Sequence, residues 1–166
     1  MKIHFPHGCL GVLAWMLLIP GLPARQIDLW PYDRLEKAAD LIVIGVPEKS
    51  AQTGESVHAT LWQKDFPVVN TTLKVTGVLK GRFKMTELTV FHLRQPETMI
   101  LSNGPYMATF NEQPVERILP GGKRQSAKRE YLLFLRKRDD GRFEPVSGPM
   151  DSAHAIRELN VSAPLP

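Results

Sequence analysis

Beyond the first 24 residues, two short stretches of the chain have a continuous apolar run. Residues 41–46 read LIVIGV, and residues 130–137 read EYLLFLRK. Because a strand that is covered on both faces has no side to expose to water, short apolar runs of this length predict buried strands. The glycine inside the first run, Gly45, predicts a bulge or a close approach of another backbone.

Two further stretches have the alternation that is typical of strands. Residues 68–80 alternate apolar and polar side chains, and residues 88–94 alternate between two faces that are both apolar. Residues 139–141 (DDG) precede a returning segment at 142–146, which predicts a β-hairpin. We expect Arg142, in the arm of this hairpin, to contribute less than about 0.5 kcal/mol to stability.

Helical spacing is confined to the two ends of the predicted domain. Residues 34–39 place apolar side chains on one side, with Asp33 as the N-cap. Residues 153–159 do the same, with Ser152 as the cap. The polar residues 48–67 predict a long loop.

The least regular segment is 95–127, in which only residues 106–110 have the pattern of a short strand. Its apolar content is unusual for a long connection. Part of it should complete the core, and any exposed remainder is a candidate contact surface. The apolar residues are Met99, Ile100, Leu101, Tyr106, Met107 and Phe110.

These elements predict a mainly β fold. Strands do not alternate with long helices, which argues against a parallel α/β sheet. The count favours a small five- to six-stranded barrel of OB type, with a short helix at each end. Residues 25–166 are enough for one such domain.

Residues 1–24 have the pattern of a signal peptide. Lys2 precedes the apolar run 10–19, and Pro20 to Ala24 interrupt it before a possible cleavage site after Ala24 or nearby. We therefore expect a secreted or periplasmic protein without stable membrane insertion after cleavage. The single cysteine, Cys9, lies in the segment to be removed, so the mature chain would have no thiol for a disulfide, a zinc site or a nucleophile.

The order of these motifs resembles the netrin-like (NTR) family, which includes the tissue inhibitors of metalloproteinases and many exported bacterial proteins. The resemblance covers roughly residues 39–148 and implies an OB-like barrel. Metalloproteinase inhibition in that family uses an N-terminal cysteine that chelates zinc, and the mature chain has none. The segments that carry the resemblance are 39–46, 73–81, 88–90, 131–135 and 143–148.

No motif in the mature chain predicts a catalytic, cofactor or metal site, so we expect no enzyme activity and no cofactor. His58, His92 and His154 have no ligand spacing. The sequence 151–154 (DSAH) is better explained by a helix cap than by a triad. Asp139-Asp140 reads as a turn, and Gly121-Gly122 lacks the spacing of a phosphate loop.

The net charge is +4, and seven basic residues flank the apolar strand 130–137. We favour a solubilising role for them, since charges beside an apolar strand oppose aggregation. The alternative is contact with an anionic polymer, a mode of binding that weakens steeply with salt. The seven residues are Lys123, Arg124, Lys128, Arg129, Arg136, Lys137 and Arg138.

The predicted function is that of an exported, non-catalytic module that binds a protein or an envelope component. The alternative is a binder of an anionic polymer, such as a polysaccharide, through the basic loops and the barrel face. Nucleic acid is not expected, because the aromatic residues in the strands read as core rather than as stacking platforms.

Overall fold

The computed structural model describes residues 29–95, 104–118 and 121–159. The predicted signal peptide, residues 1–24, lies outside this range, as do Met99, Ile100 and Leu101. One α-helix, α1 (Tyr32–Ala38), precedes eight strands in the described part of the chain. The strands are β1 (Leu41–Ala59), β2 (Lys64–Lys80), β3 (Glu87–Leu93), β4 (Val115–Ile118), β5 (Arg124–Ala127), β6 (Glu130–Lys137), β7 (Phe143–Pro145) and β8 (Ile156–Leu159).

The predicted mainly β fold is confirmed, but the sheet is not a regular barrel. Six strands form one sheet in the order β1-β2-β3-β7-β6-β8, and β1 also pairs with β6. Strands β1, β2, β3, β7 and β6 therefore pair in a ring. The pairing of β3 with β7 in this ring is parallel and consists of one residue pair, Val90 with Phe143. Strands β4 and β5 form a separate two-stranded ribbon, which the sequence analysis did not predict.

The apolar run at the start of β1 is paired on both edges. Residues 42–45 face β2 on one side and β6 on the other. The register with β2 shifts between Ile44 and Gly45. A Cβ atom on Gly45 would lie 3.4 Å from both the Leu73 side chain and the Lys74 carbonyl oxygen. The predicted irregularity and close approach at this glycine are therefore confirmed.

Alternation along the strands divides the buried side chains between clusters on opposite faces. Leu133 and Leu135 of β6 belong to the largest cluster, with residues of β1, β2 and β3. Phe134 belongs to a second cluster, with Leu35 of α1 and Ile42. Leu133 and Leu135 therefore lie on one face of β6 and Phe134 on the other. A third cluster comprises Ala59, Phe66, Val68, Phe91 and Leu93.

Helix α1 covers one side of the sheet through one buried side chain, that of Leu35. Leu35 is buried, and its carbonyl oxygen accepts a hydrogen bond from the Ala39 N–H at 3.0 Å. Pro31 holds the N-cap position without a side-chain cap. Asp33 lies inside the first turn rather than at the cap, where its carboxylate favours the positive end of the helix dipole.

The predicted long loop at 48–67 is wrong, because most of it belongs to an antiparallel ribbon. Strands β1 and β2 stay paired from Lys49 with Thr72 to Ala59 with Lys64. Most side chains of 48–58 are exposed on both faces, so the segment has no alternation of apolar and polar residues. Its pairing with β2 supplies the backbone hydrogen bonds that local sequence does not reveal.

The predicted helix at 153–159 is also wrong. Residues Ser152–His154 form one turn of 3-10 helix, and Ile156–Leu159 form β8, which pairs with β6. Ser152 does not cap a helix, since its hydroxyl accepts a hydrogen bond from the Ala108 N–H at 2.9 Å. In so short a segment, tertiary pairing with β6 outweighs the helical spacing.

Residues 106–110 do not form the predicted strand. Their backbone groups bond to other partners: the Tyr106 N–H to the Asp151 carboxylate, the Tyr106 carbonyl to the Ala153 N–H, and the Ala108 N–H to Ser152. The segment still completes the core, because Phe110 lies in the largest cluster.

Loss of Phe134 tests the cluster beneath α1. We expect Phe134→Ala to lower the free energy of unfolding by about 3–5 kcal/mol, because it leaves a cavity between α1 and β6. Leu79→Ala is the control: this leucine is 63% exposed, and its loss should cost less than about 0.5 kcal/mol. Equal denaturation midpoints for the two variants would contradict the packing described here.

Candidate functional site

A cavity of about 440 Å³ lies between strands β1 to β3 and the segment 107–110. Its volume falls within the range of small-ligand sites, roughly 300–1,000 Å³. Part of the lining is apolar and part is uncharged polar, the combination that such sites commonly have. The lining includes Val69, Met107 and Phe110 among the apolar residues, and Ser50, Gln52 and His92 among the polar ones.

Three polar side chains form a hydrogen-bonded chain across β1, β2 and β3 beside this cavity. His92 Nε2 lies 2.8 Å from Thr71 Oγ1, and Thr71 Oγ1 lies 2.8 Å from Ser50 Oγ. His92 is 5% exposed and Thr71 is fully buried, whereas Ser50 is exposed. The chain therefore runs from the interior of the sheet to the surface, and Ser50 is its accessible end.

The imidazole of His92 is held neutral by its surroundings. Burial lowers its pKa from 6.5 to about 4, and the Leu93 backbone opposes this shift only in part. The Phe110 ring lies edge-on, 5.1 Å away between centroids. No atom of the described residues makes a hydrogen bond of good geometry to Nδ1. A buried polar atom in this state costs about 1–3 kcal/mol, which the fold tolerates here.

The other two histidines of the described residues lie in different settings. His58 is exposed, and its Nδ1 lies 2.8 Å from Asp65 across the β1–β2 ribbon. His154 is buried beside the Tyr106 ring, with 5.0 Å between centroids. Among the described residues, no group of three His, Cys, Asp or Glu side chains could hold a metal ion.

The DSAH sequence at 151–154 serves to dock the segment 104–110. The Asp151 carboxylate accepts a hydrogen bond from the Tyr106 N–H, and Ser152 Oγ accepts one from the Ala108 N–H. The predicted explanation by a cap is wrong for Ser152, but its hydroxyl still has a structural partner. Gly121 and Gly122 lie in the turn between β4 and β5, both with positive φ.

Four of the seven basic residues that lie in or beside β6 form ion pairs with acidic side chains. Glu144 is buried and forms ion pairs with two arginines, one of which, Arg138, donates a 2.6 Å hydrogen bond from Nη1. The side-chain amines of the three lysines form no ion pair among the described residues, although the Lys137 backbone N–H donates to the Asp40 carboxylate. The ion pairs are Arg124–Glu116, Arg129–Glu158, Arg136–Glu144 and Arg138–Glu144.

Arg142 lies at the centre of a charged network that joins the β6–β7 hairpin to the β1–β2 ribbon. Its two terminal nitrogens each lie 3.1 Å from an oxygen of Glu55, and Nη2 also lies 2.7 Å from Asp140. Its guanidinium carbon lies 5.0 Å from the centre of the Phe91 ring. The Arg142 hydrogen bonds hold the pKa of Asp140 well below its usual range. The expectation of a negligible role for Arg142 therefore needs revision.

The sequence analysis missed Ser50 and Thr71. It placed Ser50 in a loop, and it assigned Thr71 only to a strand. The two hydrogen bonds of the chain each join residues 21 positions apart, a separation that no local pattern reveals. A correct pairing of β1 with β2 would have placed Ser50 opposite Thr71.

No family model, curated protein or solved structure matches this chain. The resemblance to the netrin-like family therefore stays a prediction. No helix in the described ranges is both long enough and apolar enough to cross a membrane.

Protonation of His92 should make stability depend on pH. The unfolded imidazole binds a proton below pH 6.5, whereas the buried one does so only near pH 4. Between these values the unfolded state holds more protons, so the free energy of unfolding should fall as the pH falls, by about 3 kcal/mol in all. Urea denaturation of the wild type and of His92→Gln at several pH values measures this difference. The same pH dependence in both proteins would exclude this contribution of His92 to stability.

The link between Arg142 and Glu55 is measurable by a double-mutant cycle. Because the Arg142 side chain is 19% exposed and that of Glu55 is 52% exposed, solvent weakens their attraction. We expect a coupling of about 0.5–1 kcal/mol between Arg142→Ala and Glu55→Ala. Coupling of Arg142→Ala with Glu112→Ala serves as the control and should be near zero, because Glu112 is exposed and is not among the ion-pair partners of Arg142 in the described residues. A null Arg142–Glu55 coupling would show that the contact contributes nothing.

Proposed function

We propose that the protein is a secreted or periplasmic, non-catalytic binding module that contacts a protein or another envelope component. The observation that carries this proposal is the cavity between β1, β2, β3 and residues 107–110. It combines apolar walls with uncharged polar groups on paired strands. Paired strands hold such groups in place, which lowers the entropy lost on binding.

We also propose that the sheet is a member of the OB-like architectures to which netrin-like domains belong. Supporting this is the ring β1-β2-β3-β7-β6, in which β1 pairs with both β2 and β6. A five-stranded, partly open barrel is the form that OB folds take. The zinc-chelating cysteine of the metalloproteinase inhibitors has no counterpart in residues 25–166, so that activity is not part of the proposal.

Binding of an anionic polymer is the second candidate, and the ion pairs argue against it. Each phosphate or sulfate contact requires a cation that can exchange its counterions for the ligand. Four of the seven basic residues are already engaged by carboxylates. The lysines that remain for such a role are Lys123, Lys128 and Lys137.

Two tryptophan variants on β1 test whether the cavity is the contact site. Gln52→Trp would fill the rim of the cavity, and Lys49→Trp places the same side chain on an exposed position outside the lining. The proteins are immobilised, exposed to a solubilised envelope fraction of the producing cell, and the bound components are quantified. We expect at least a tenfold loss for Gln52→Trp and little change for Lys49→Trp. Equal capture by the two variants would overturn the proposal.

A charge variant tests the second candidate. Replacing Lys123, Lys128 and Lys137 with glutamine removes positive charge without breaking an ion pair. We expect envelope capture to stay within about tenfold, or 1.4 kcal/mol. Dextran sulfate binding that falls steeply with salt in the wild type, together with loss of capture in the lysine variant, would favour the anionic polymer.

A further inference from the structure

We propose that the cavity takes a neutral, hydroxyl-bearing group about the size of one sugar residue, which meets the Ser50 end of the Ser50–Thr71–His92 chain. This inference names the ligand class for the proposed binding function and rests on it. It follows from three properties of the site: an adaptable hydrogen-bond chain, the absence of buried charge along it, and apolar walls around it.

The chain can present either a donor or an acceptor at its open end. When His92 carries its proton on Nδ1, Nε2 accepts from Thr71, Thr71 accepts from Ser50, and the Ser50 oxygen is left to accept from a ligand. When the proton is on Nε2, each bond reverses and the Ser50 hydroxyl is left to donate. A ligand hydroxyl satisfies both arrangements, because it both donates and accepts.

The charge state of the chain favours a neutral ligand. With its pKa lowered to about 4, His92 adds no positive charge at neutral pH. The described lining contains no acidic side chain, and its one cation is Arg94, an exposed residue after β3. An anion would therefore gain little from the chain, and an amine would find no carboxylate.

The apolar walls of the cavity suit the carbon skeleton of a sugar ring better than they suit a fully polar ligand. Val69, Ala108 and Phe110 border the same cavity as Ser50 and His92. Sugars present C–H groups on one face and hydroxyls at the edge, so a ring can bury the first against these side chains and turn the second to Ser50. A small ligand with a single serine side chain, such as N-acetylserinamide, has one hydroxyl and little apolar surface, so we expect it to bind more weakly than a sugar.

Titration of the full protein with D-glucose, N-acetyl-D-glucosamine and D-glucuronate, followed by amide NMR, tests the ligand class. We expect a neutral sugar to bind with a Kd of about 1 mM and to shift the amides of Ala51, Gln52 and Thr109. Ser50→Ala should weaken binding about tenfold. Ser56→Ala, an exposed serine on the same strand outside the lining, should leave it unchanged.

The imidazole of His92 allows a second measurement, whose result should not change on sugar addition if the hydrogen-bonded chain has only a structural role. Its 15N shifts report which nitrogen is protonated, and we expect sugar binding to change that balance in the wild type. In Thr71→Val the link is broken, so binding should no longer reach the imidazole. If Thr71→Val does not fold, the Ser50→Ala and Ser56→Ala comparison still decides the outcome.

Three results would overturn the inference: glucuronate binding at least tenfold tighter than glucose, N-acetylserinamide binding where no sugar binds, or no shift with any sugar. The proposed function fails separately. If envelope capture is lost in Gln52→Trp while no sugar binds, the cavity remains the contact site and only the ligand class is wrong.

Discussion

The fold depends on the pairing of β1 with a strand on each of its edges. Residues 42–45 lie between β2 and β6, so both edges of this stretch have hydrogen-bond partners. Its two faces are covered as well, by the largest cluster on the Val43 side and by the cluster beneath α1 on the Ile42 side. A polar side chain enclosed on four sides needs a buried hydrogen-bond partner, and LIVIGV contains no polar side chain. The rest of β1 has one partner strand, so its sequence is free to be polar.

The sequence correctly predicted those elements whose own residues indicate whether they are buried or turn. The bounds of β6 agree with the structure, and so does the hairpin that follows it, because burial on both faces and an Asp-Gly turn are local signals. Residues 48–67 gave no such signal, since a solvent-exposed ribbon can be polar on both faces. Segment 106–110 was misassigned for another reason: the side chains of Asp151 and Ser152 take the place of a neighbouring strand.

The candidate site was harder to predict than the fold. His92 could be placed on a strand from its alternation, but its partners depend on which strands pair and in which register. A shift of one residue in the β2–β3 register would turn Thr71 away from His92 and break the chain. The site therefore depends on strand pairing and register, and the sequence alone shows its residues without showing that they are in contact. The same holds for the arginines, whose spacing indicated a basic cluster but whose carboxylate partners come from β4, β7 and β8.

Strand β3 separates two kinds of polar chemistry. Phe91 and His92 are neighbours in sequence, and alternation turns them to opposite faces. The guanidinium carbon of Arg138 lies 4.1 Å from the centre of the Phe91 ring, within the ion-pair network of the β6–β7 hairpin. On the other face, His92 has a hydrogen bond with the Thr71 hydroxyl and, among the described residues, no ion pair with a carboxylate. A carboxylate on the cavity side would stabilise a protonated imidazole and fix the direction of its hydrogen bonds. The carboxylates of Asp140 and Glu144 lie instead with Arg138. The His92 chain is therefore neutral and reversible, and in the proposed site a ligand would be selected by hydrogen bonding and shape rather than by charge.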